Sequence, residues 1–263
     1  MQTACHKFNT HSTSWSAPGL DLLLIRLQSI IEQSFVVAAD LGKKWQGIVA
    51  MISVIDMGLG NLGSVIQAFQ RVGCNVLITN SSIAVSSASA IVLPGVGAFG
   101  DGMKMLRKMH LISPLSEHVA AGKPLLGICL GMQLLARSSD EHGYHEGLGF
   151  IPGIVERLKS TGPDCRVPNI GWSDVIVHRK NSWLYKNSTE ESIYYFAHSY
   201  FLRCDDANDV VATIDYGGAP ITAAVERGNL LGVQFHPEKS LDAGLQVLAA
   251  FVNYVHYSAR EVA

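Results

Sequence analysis

The segment GICLG at residues 127–131 constrains this chain more than any other. It ends a short, wholly apolar run at 125–128 and precedes a stretch with helical spacing at 132–137. A short apolar run without alternation is the pattern of a strand buried on both faces, as in a parallel sheet. The glycines on either side of Cys129 permit a tight strand-to-helix turn, a nucleophile elbow with cysteine in place of serine. A side chain at either glycine would collide with the neighbouring strand or helix. The helix that follows directs its unpaired N–H groups at the cysteine and favours thiolate over thiol. The Leu130 N–H is placed to bind an oxyanion. Taken alone, the segment also fits a buried structural cysteine behind a core strand.

The surroundings of the elbow are of α/β type. Strands are expected at 52–55, 75–79, 90–93 and 125–128, with a glycine-rich turn at 58–63 and a helix at 64–72. From about Gly149 the pattern turns to strands, at 154–158, 174–177, 193–197, 210–214, 221–225 and 230–235. A last helix is expected at 241–257. This order predicts an α/β fold with a mixed, largely parallel central sheet flanked by helices.

The first 50 residues differ. Residues 1–18 are polar, and 20–41 carry apolar side chains at rough helical spacing, interrupted by Asp21, Arg26, Glu32 and Asp40. Those charges exclude a membrane-spanning helix, and the thin basic start argues against a secretory signal. The segment reads as an extension, partly disordered or helical, before a domain at 51–263. A net charge of −2 gives no electrostatic reason to expect nucleic acid or an anionic membrane as partner. The five scattered cysteines read as reduced thiols of a cytoplasmic protein rather than a disulfide framework.

Two further segments raise the elbow above a structural cysteine. GVQFHPEK at 232–239 puts His236 and Glu238 two residues apart after an apolar run. Side chains at i and i+2 project to one side, so His236 can take the cysteine proton while Glu238 sets its tautomer. LPGVGA at 93–98 is a strand followed by small residues. Its backbone at Gly95, Val96 and Gly97 supplies the second half of an oxyanion hole. Singly, each segment also fits a surface histidine or a plain glycine turn. Two weaker signals point away from chemistry. Glu141, His142, His145 and Glu146 are metal-ligand types but read as a solvated loop, and Met103, Met105 and Met109 read as core packing.

Together, PGVG at 94–97, GICLGMQLL at 127–135, AHSY at 197–200 and GVQFHPEKS at 232–240 resemble the class I (triad) glutamine amidotransferase family, from about Met51 to Phe251. The resemblance implies that Cys129 attacks the glutamine side-chain amide, that His236 serves as base and then acid, and that Glu238 orients it. Gln133 and the backbone at Ser199 and Tyr200 would hold the glutamine. No cofactor or metal is implied. Within the family, IDMGLGNLGSV at 55–65, LPGVGAFGDGM at 93–103, GLGFIPGIVERL at 147–158, PNIGW at 168–172 and HPEKS at 236–240 are similar to the glutaminase subunits of imidazole glycerol phosphate synthases. That similarity implies a separate (β/α)8 cyclase as partner, forming a heterodimer, with Lys239 at the interface and histidine biosynthesis as the pathway. The chain departs from that group at Asn169, Ser173 and Gly63, where His, Asn and often Arg are usual. These departures leave the glutaminase chemistry intact and bear on the ammonia acceptor, which in paralogous subunits is a surface-polysaccharide sugar. A stand-alone cysteine hydrolase and a non-enzymatic regulatory subunit are the competing classes. The His-Pro-Glu spacing argues against the first, and the complete Cys, His and Glu set against the second.

Overall fold

The computed structural model describes residues 51–160, 165–186 and 192–261. The expected extension at 1–50 lies outside the described residues. The first half alternates strand and helix: β1 (Ile52–Ile55), α1 (Leu62–Arg71), β2 (Val76–Thr79), α2 (Ser82–Ser87), β3 (Ala90–Gly95), α3 (Phe99–Lys108), α4 (Ile112–Ala120), β4 (Leu125–Cys129) and α5 (Leu130–Leu134). Strands dominate from there: β5 (Ala136–Ser139), β6 (His145–Glu146), β7 (Ile151–Arg157), β8 (Asn169–Val177), β9 (Ser192–His198), β10 (Tyr200–Cys204), β11 (Val210–Tyr216), β12 (Ala219–Arg227) and β13 (Leu230–Val233). The closing helix is α6 (Leu241–Glu261).

Among the described residues, the main sheet has nine strands in the order β2-β1-β3-β4-β13-β12-β11-β8-β9. Its first five strands are parallel to one another and the rest antiparallel. A second sheet has the order β10-β7-β5-β6. The α/β class and mixed sheet expected from the sequence are therefore present.

Of the parallel strands, β1, β3, β4 and β13 are buried along their whole length, so successive residues feed opposite sides of the sheet, while β2 at the edge is partly exposed. Ala90, Val92, Leu126 and Ile128 join a core completed by Val65 and Phe69 of α1 and Leu248 and Phe251 of α6. Ile91, Leu93 and Leu125 join another, completed by Phe99, Met103 and Leu106 of α3 and Met132 of α5. Met105 and Met109 pack against that second core, as expected.

The antiparallel end is different. On β8 and β9, Ile170, Trp172, Ile176 and Ile193 are at least half exposed, while Val175, Tyr194 and Phe196 point inward. The register sets Trp172 opposite Tyr195. The sheet curls at this end: the Tyr195 carbonyl accepts from the His236 N–H at 2.9 Å, although β9 and β13 are four places apart in the sheet. Tyr194 stacks on Phe235 with ring centroids 4.0 Å apart.

Several elements escape the periodicity reading. The helix expected at 132–137 is Leu130–Leu134, and β5 follows at once, because Ala136–Ser139 is drawn into pairing with β7. Helices α2, α3 and α4 carry no strong sequence signal: α3 holds Gly100 and Gly102, and α4 holds Pro114 in its first turn. Among the described residues no helix is long and apolar enough to cross a membrane.

Candidate active site

Cys129 closes β4 and precedes α5 with φ 52° and ψ −110°, a region a side chain tolerates only when its surroundings over-determine it. The packing does so. A Cβ at Gly131 would stand 1.7 Å from the Leu93 carbonyl oxygen, and one at Gly127 2.7 Å from the backbone of Gly131 and Met132. Both flanking glycines are steric requirements of the turn. The resulting thiol is buried, at 5% exposure.

Neighbouring strands bring the other groups to it. β13 runs parallel to β4 with Val233 opposite Ile128, so Gln234 and the turn after it end beside Cys129. The Gln234 amide donates to the sulfur, Nε2 to Sγ 3.6 Å. His236 and Glu238 are buried side chains, with Nδ1 and Oε1 2.8 Å apart. His236 also has a hydrogen bond to the Cys129 side chain. Burial opposes charge on His236, but the hydrogen bonds to Cys129 and Glu238 and the attraction of both groups outweigh it and raise the imidazole to about 10. The site favours an imidazolium at His236, held between the Cys129 sulfur and the Glu238 carboxyl group. By contrast, burial pushes the Cys74 thiol up to about 11. Burial, then the charges of Asp209, Asp205 and Asp206, push Cys204 up to about 12. Cys74, Cys129, Cys165 and Cys204 are all free.

The structure places the remaining sequence candidates as follows. Gly95 pairs with Cys129 across β3 and β4, and Leu130 is buried as the first residue of α5. Val96 behaves differently: its N–H donates to the Leu59 carbonyl at 3.1 Å, so this amide is engaged by the glycine-rich turn and is not free for an oxyanion. Gly97 follows in a left-handed conformation, φ 108°. Gln133 is buried, and its Nε2 donates to the Tyr200 carbonyl at 2.8 Å and to Gln234 Oε1 at 3.0 Å. The Ser199 carbonyl accepts from the Leu158 N–H at 2.8 Å. Lys239 is exposed beside the site, with Nζ 5.6 Å from the centroid of the Tyr195 ring.

Three residues near the site have no assigned role in the sequence reading. Gln234 was legible only as a polar residue inside an apolar strand end. Glu141, read from the sequence as part of a solvated loop, is instead buried, and its carboxylate accepts from the Phe99 N–H at 2.6 Å and so caps α3, shortly after the PGVG strand. Ser240 donates to the His236 carbonyl at 2.6 Å and accepts from the Tyr195 N–H at 3.0 Å. Among the described residues no group of His, Cys, Asp and Glu is arranged to hold a metal ion.

The family model for "Glutamine amidotransferase class-I" matches residues 53–253. The chain is 40% identical over 210 residues to "Imidazole glycerol phosphate synthase subunit HisH 2" of Nitrobacter winogradskyi, covering 78% of this chain and 99% of that protein. It is 43% identical over 205 residues to "Imidazole glycerol phosphate synthase subunit HisH" of Syntrophotalea carbinolica, covering 76% and 98%. Among solved structures, PurLQS from Thermotoga maritima superposes with a TM-score of 0.64 at 20% identity, covering 79% of this chain and 100% of that one. A crystal structure described as a glutamine amidotransferase does so with a TM-score of 0.62 at 20% identity, covering 78% and 99%. At that identity the superpositions speak for the fold.

Proposed function

The chain belongs to the class I glutamine amidotransferases, and from that premise we propose that it is the glutaminase subunit of an imidazole glycerol phosphate synthase. The observation that carries the chemistry is the buried Cys129, His236 and Glu238 assembly at the end of two parallel strands. The Cys129 sulfur attacks the side-chain carbonyl carbon of glutamine. The carbon–nitrogen bond breaks, His236 gives its proton to the leaving nitrogen, and ammonia departs from a glutamyl thioester. Water, deprotonated by His236, then cleaves the thioester to glutamate and restores the thiol. Glu238 holds the imidazole through Nδ1. Gly95, Gly97 and Leu130 border the place where the oxyanion forms, and Gln133, Ser199 and Tyr200 border the glutamine.

The names of the relatives support a partner: both are synthase subunits. We assign the partner as a (β/α)8 cyclase that takes the ammonia into imidazole glycerol phosphate and AICAR in the cytoplasm. Its seat is the apolar outer face of β8 and β9, with Trp172 and Tyr195 edge to face at 5.9 Å and Lys239 at its border. An exposed apolar patch of this kind marks an interface. Val96 fits the same reading. While its N–H stays on Leu59 the oxyanion hole lacks a donor, so the chain alone turns over slowly. Residues 51–263 suffice for this chemistry, and residues 1–50 take no part in it.

The test is glutamate release by the chain mixed with the histidine-pathway cyclase of the same genome, with and without a phosphoribulosyl substrate analogue. Stimulation of release is the expected result. No stimulation, with Cys129 still labelled by a glutamine-mimicking electrophile, would keep the amidotransferase and reject the histidine-pathway acceptor.

A further inference from the structure

Five groups form a continuous hydrogen-bonded line from the surface hairpin to the nucleophile. Asn169 Nδ2 stands 3.1 Å from His198 Nε2. His198 Nδ1 is 2.9 Å from the Tyr200 carbonyl, and that carbonyl also accepts from Gln133 Nε2. Gln133 in turn meets Gln234 Oε1, and Gln234 Nε2 meets the Cys129 sulfur. The direction of every bond follows from one atom. A backbone carbonyl can only accept, so Gln133 must present its NH2 to Tyr200. The second hydrogen of that NH2 then requires the oxygen of Gln234. That leaves the Gln234 NH2, and not its oxygen, against the sulfur. By the same logic His198 carries its proton on Nδ1, and its Nε2 accepts from Asn169.

We propose that Gln234 is a second hydrogen-bond donor to the Cys129 thiolate, and that the Tyr200 carbonyl, acting through Gln133, fixes the Gln234 amide in its donating orientation. This rests on the reading of Cys129 as the nucleophile. Gln234 is fully buried, where an unpartnered amide would be costly and a donor to a charged acceptor is at its strongest. The imidazolium of His236 and the Gln234 amide approach one sulfur from the chain on either side of Phe235. One supplies charge and a transferable proton; the other supplies a dipole that stays when the proton has gone. In this account Gln234 matters most after ammonia release, when His236 has given its proton away and the sulfur must leave the thioester carbon with its electron pair.

His198 keeps the line one-directional. Burial, only partly offset by the bond to Tyr200 and reinforced by the charge of His236, lowers it to about 4. Its neutral ring therefore keeps one donor and one acceptor throughout the working pH range. The titratable groups that face Cys129 are His236, with Glu238 behind it; His198 lies beyond Tyr200 and Gln133.

The experiment follows iodoacetamide alkylation of Cys129 in the full chain across pH, read by mass spectrometry of the Cys129 peptide. No substrate or partner is needed. Gln234→Glu keeps the shape and replaces the donor by an acceptor, and its alkylation rate near neutral pH should fall about tenfold, as for a hydrogen bond of about 1.4 kcal/mol to a charged group. The pH of half-maximal rate should rise. Gln133→Met leaves the donor but frees its orientation, and should move the profile the same way by less. If circular dichroism shows that Gln234→Glu does not fold, Gln133→Met carries the test. Profiles superimposable on that of the unsubstituted chain would overturn the donor role, because a residue that only fills space would not move them. If Cys129 of the unsubstituted chain were not labelled even by a glutamine-mimicking electrophile, the reading of Cys129 itself would fail, and the proposal with it.

Discussion

The two ends of the main sheet follow opposite rules. From β1 to β13 the parallel strands are buried on both faces, and their carboxyl ends hold Cys129, the proposed nucleophile, and lead into the segment bearing His236, its proposed base. On β8 and β9 the burial alternates, leaving Ile170, Trp172 and Ile193 outside. One end buys reactivity through close packing, where the backbone strain at Cys129 is held by Leu93 and Met132. The other end leaves apolar area uncovered, which a monomer with no partner would have little reason to keep. A region that must hold a strained turn needs packing from every side, and a region that must be recognised needs one side free.

Substitutions at the packed end should have the largest effects. Cys129→Ala should lower glutamine-dependent synthesis by the assembled enzyme at least about a thousandfold and leave synthesis from ammonium salts intact. Retained glutaminase activity would remove the nucleophile from the buried end altogether. Gly131→Ala forces a methyl group into the Leu93 carbonyl and should destabilise the fold by about 4 kcal/mol or more, the range of severe backbone clashes. Urea unfolding measures it, and a change under about 1 kcal/mol would mean that the elbow is not over-determined.

A pH series tests whether the antiparallel end is as soft as its surface suggests. His198 on β9 is held neutral, lowered to about 4 chiefly by burial; His118, on α4 at the parallel end, is lowered to about 4 by the same cause and gives the comparison. In the unfolded chain they titrate near 6.5, so as pH falls the unfolded state binds protons first. Their stabilising effect is complete above 6.5 and is lost progressively toward 4. For His198 alone the loss between about pH 7.5 and about pH 5 is about 2 kcal/mol. His236, raised to about 10, is protonated in both states below 6.5 and weakens the fold only as pH rises from there toward 10. A urea midpoint independent of pH over the acid range, or unmoved by His198→Gln, would show the interior of this end to be well solvated.

The surface residues should show the smallest stability effects and the largest effects on association. Trp172→Ala should change stability by less than about 1 kcal/mol yet weaken partner binding by tenfold or more, as a buried interface aromatic does. Isothermal titration against the cyclase would show it. Lys239→Ala should shift stability by less than about 0.5 kcal/mol while lowering product formed per glutamine cleaved. A marked loss of melting temperature in either variant would make this face part of the core.

The sequence revealed what is local. The elbow is a strand, two glycines and a helix within a few residues, and His236 and Glu238 are two apart, so both are visible as local patterns, although each acquires a function only in combination with the other and with the family resemblance. What escaped it depends on distant pairing. Val96 is engaged by Leu59 across a turn, and Gln133 meets Gln234 across 101 residues. The Asn169 side chain finds its role only opposite His198. Helices α3 and α4 were hidden by Gly100, Gly102 and Pro114, poor helix formers tolerated because tertiary packing outweighs propensity.

The pairing of β4 with β13 has a consequence for how the chain is made. Cys129 and Gln234 are 105 residues apart, and closing a loop of that length carries an entropy penalty of about 4 kcal/mol. On the ribosome β4 emerges long before β13, so its apolar edge stands open while most of the antiparallel strands are still being synthesised. Contacts of such sequence separation form late and slowly, and an open apolar edge invites pairing with other chains. The arrangement that brings Cys129 beside Gln234 and His236 also delays the site until β13 and the turn after it have left the ribosome, and makes nascent chains the stage most exposed to aggregation.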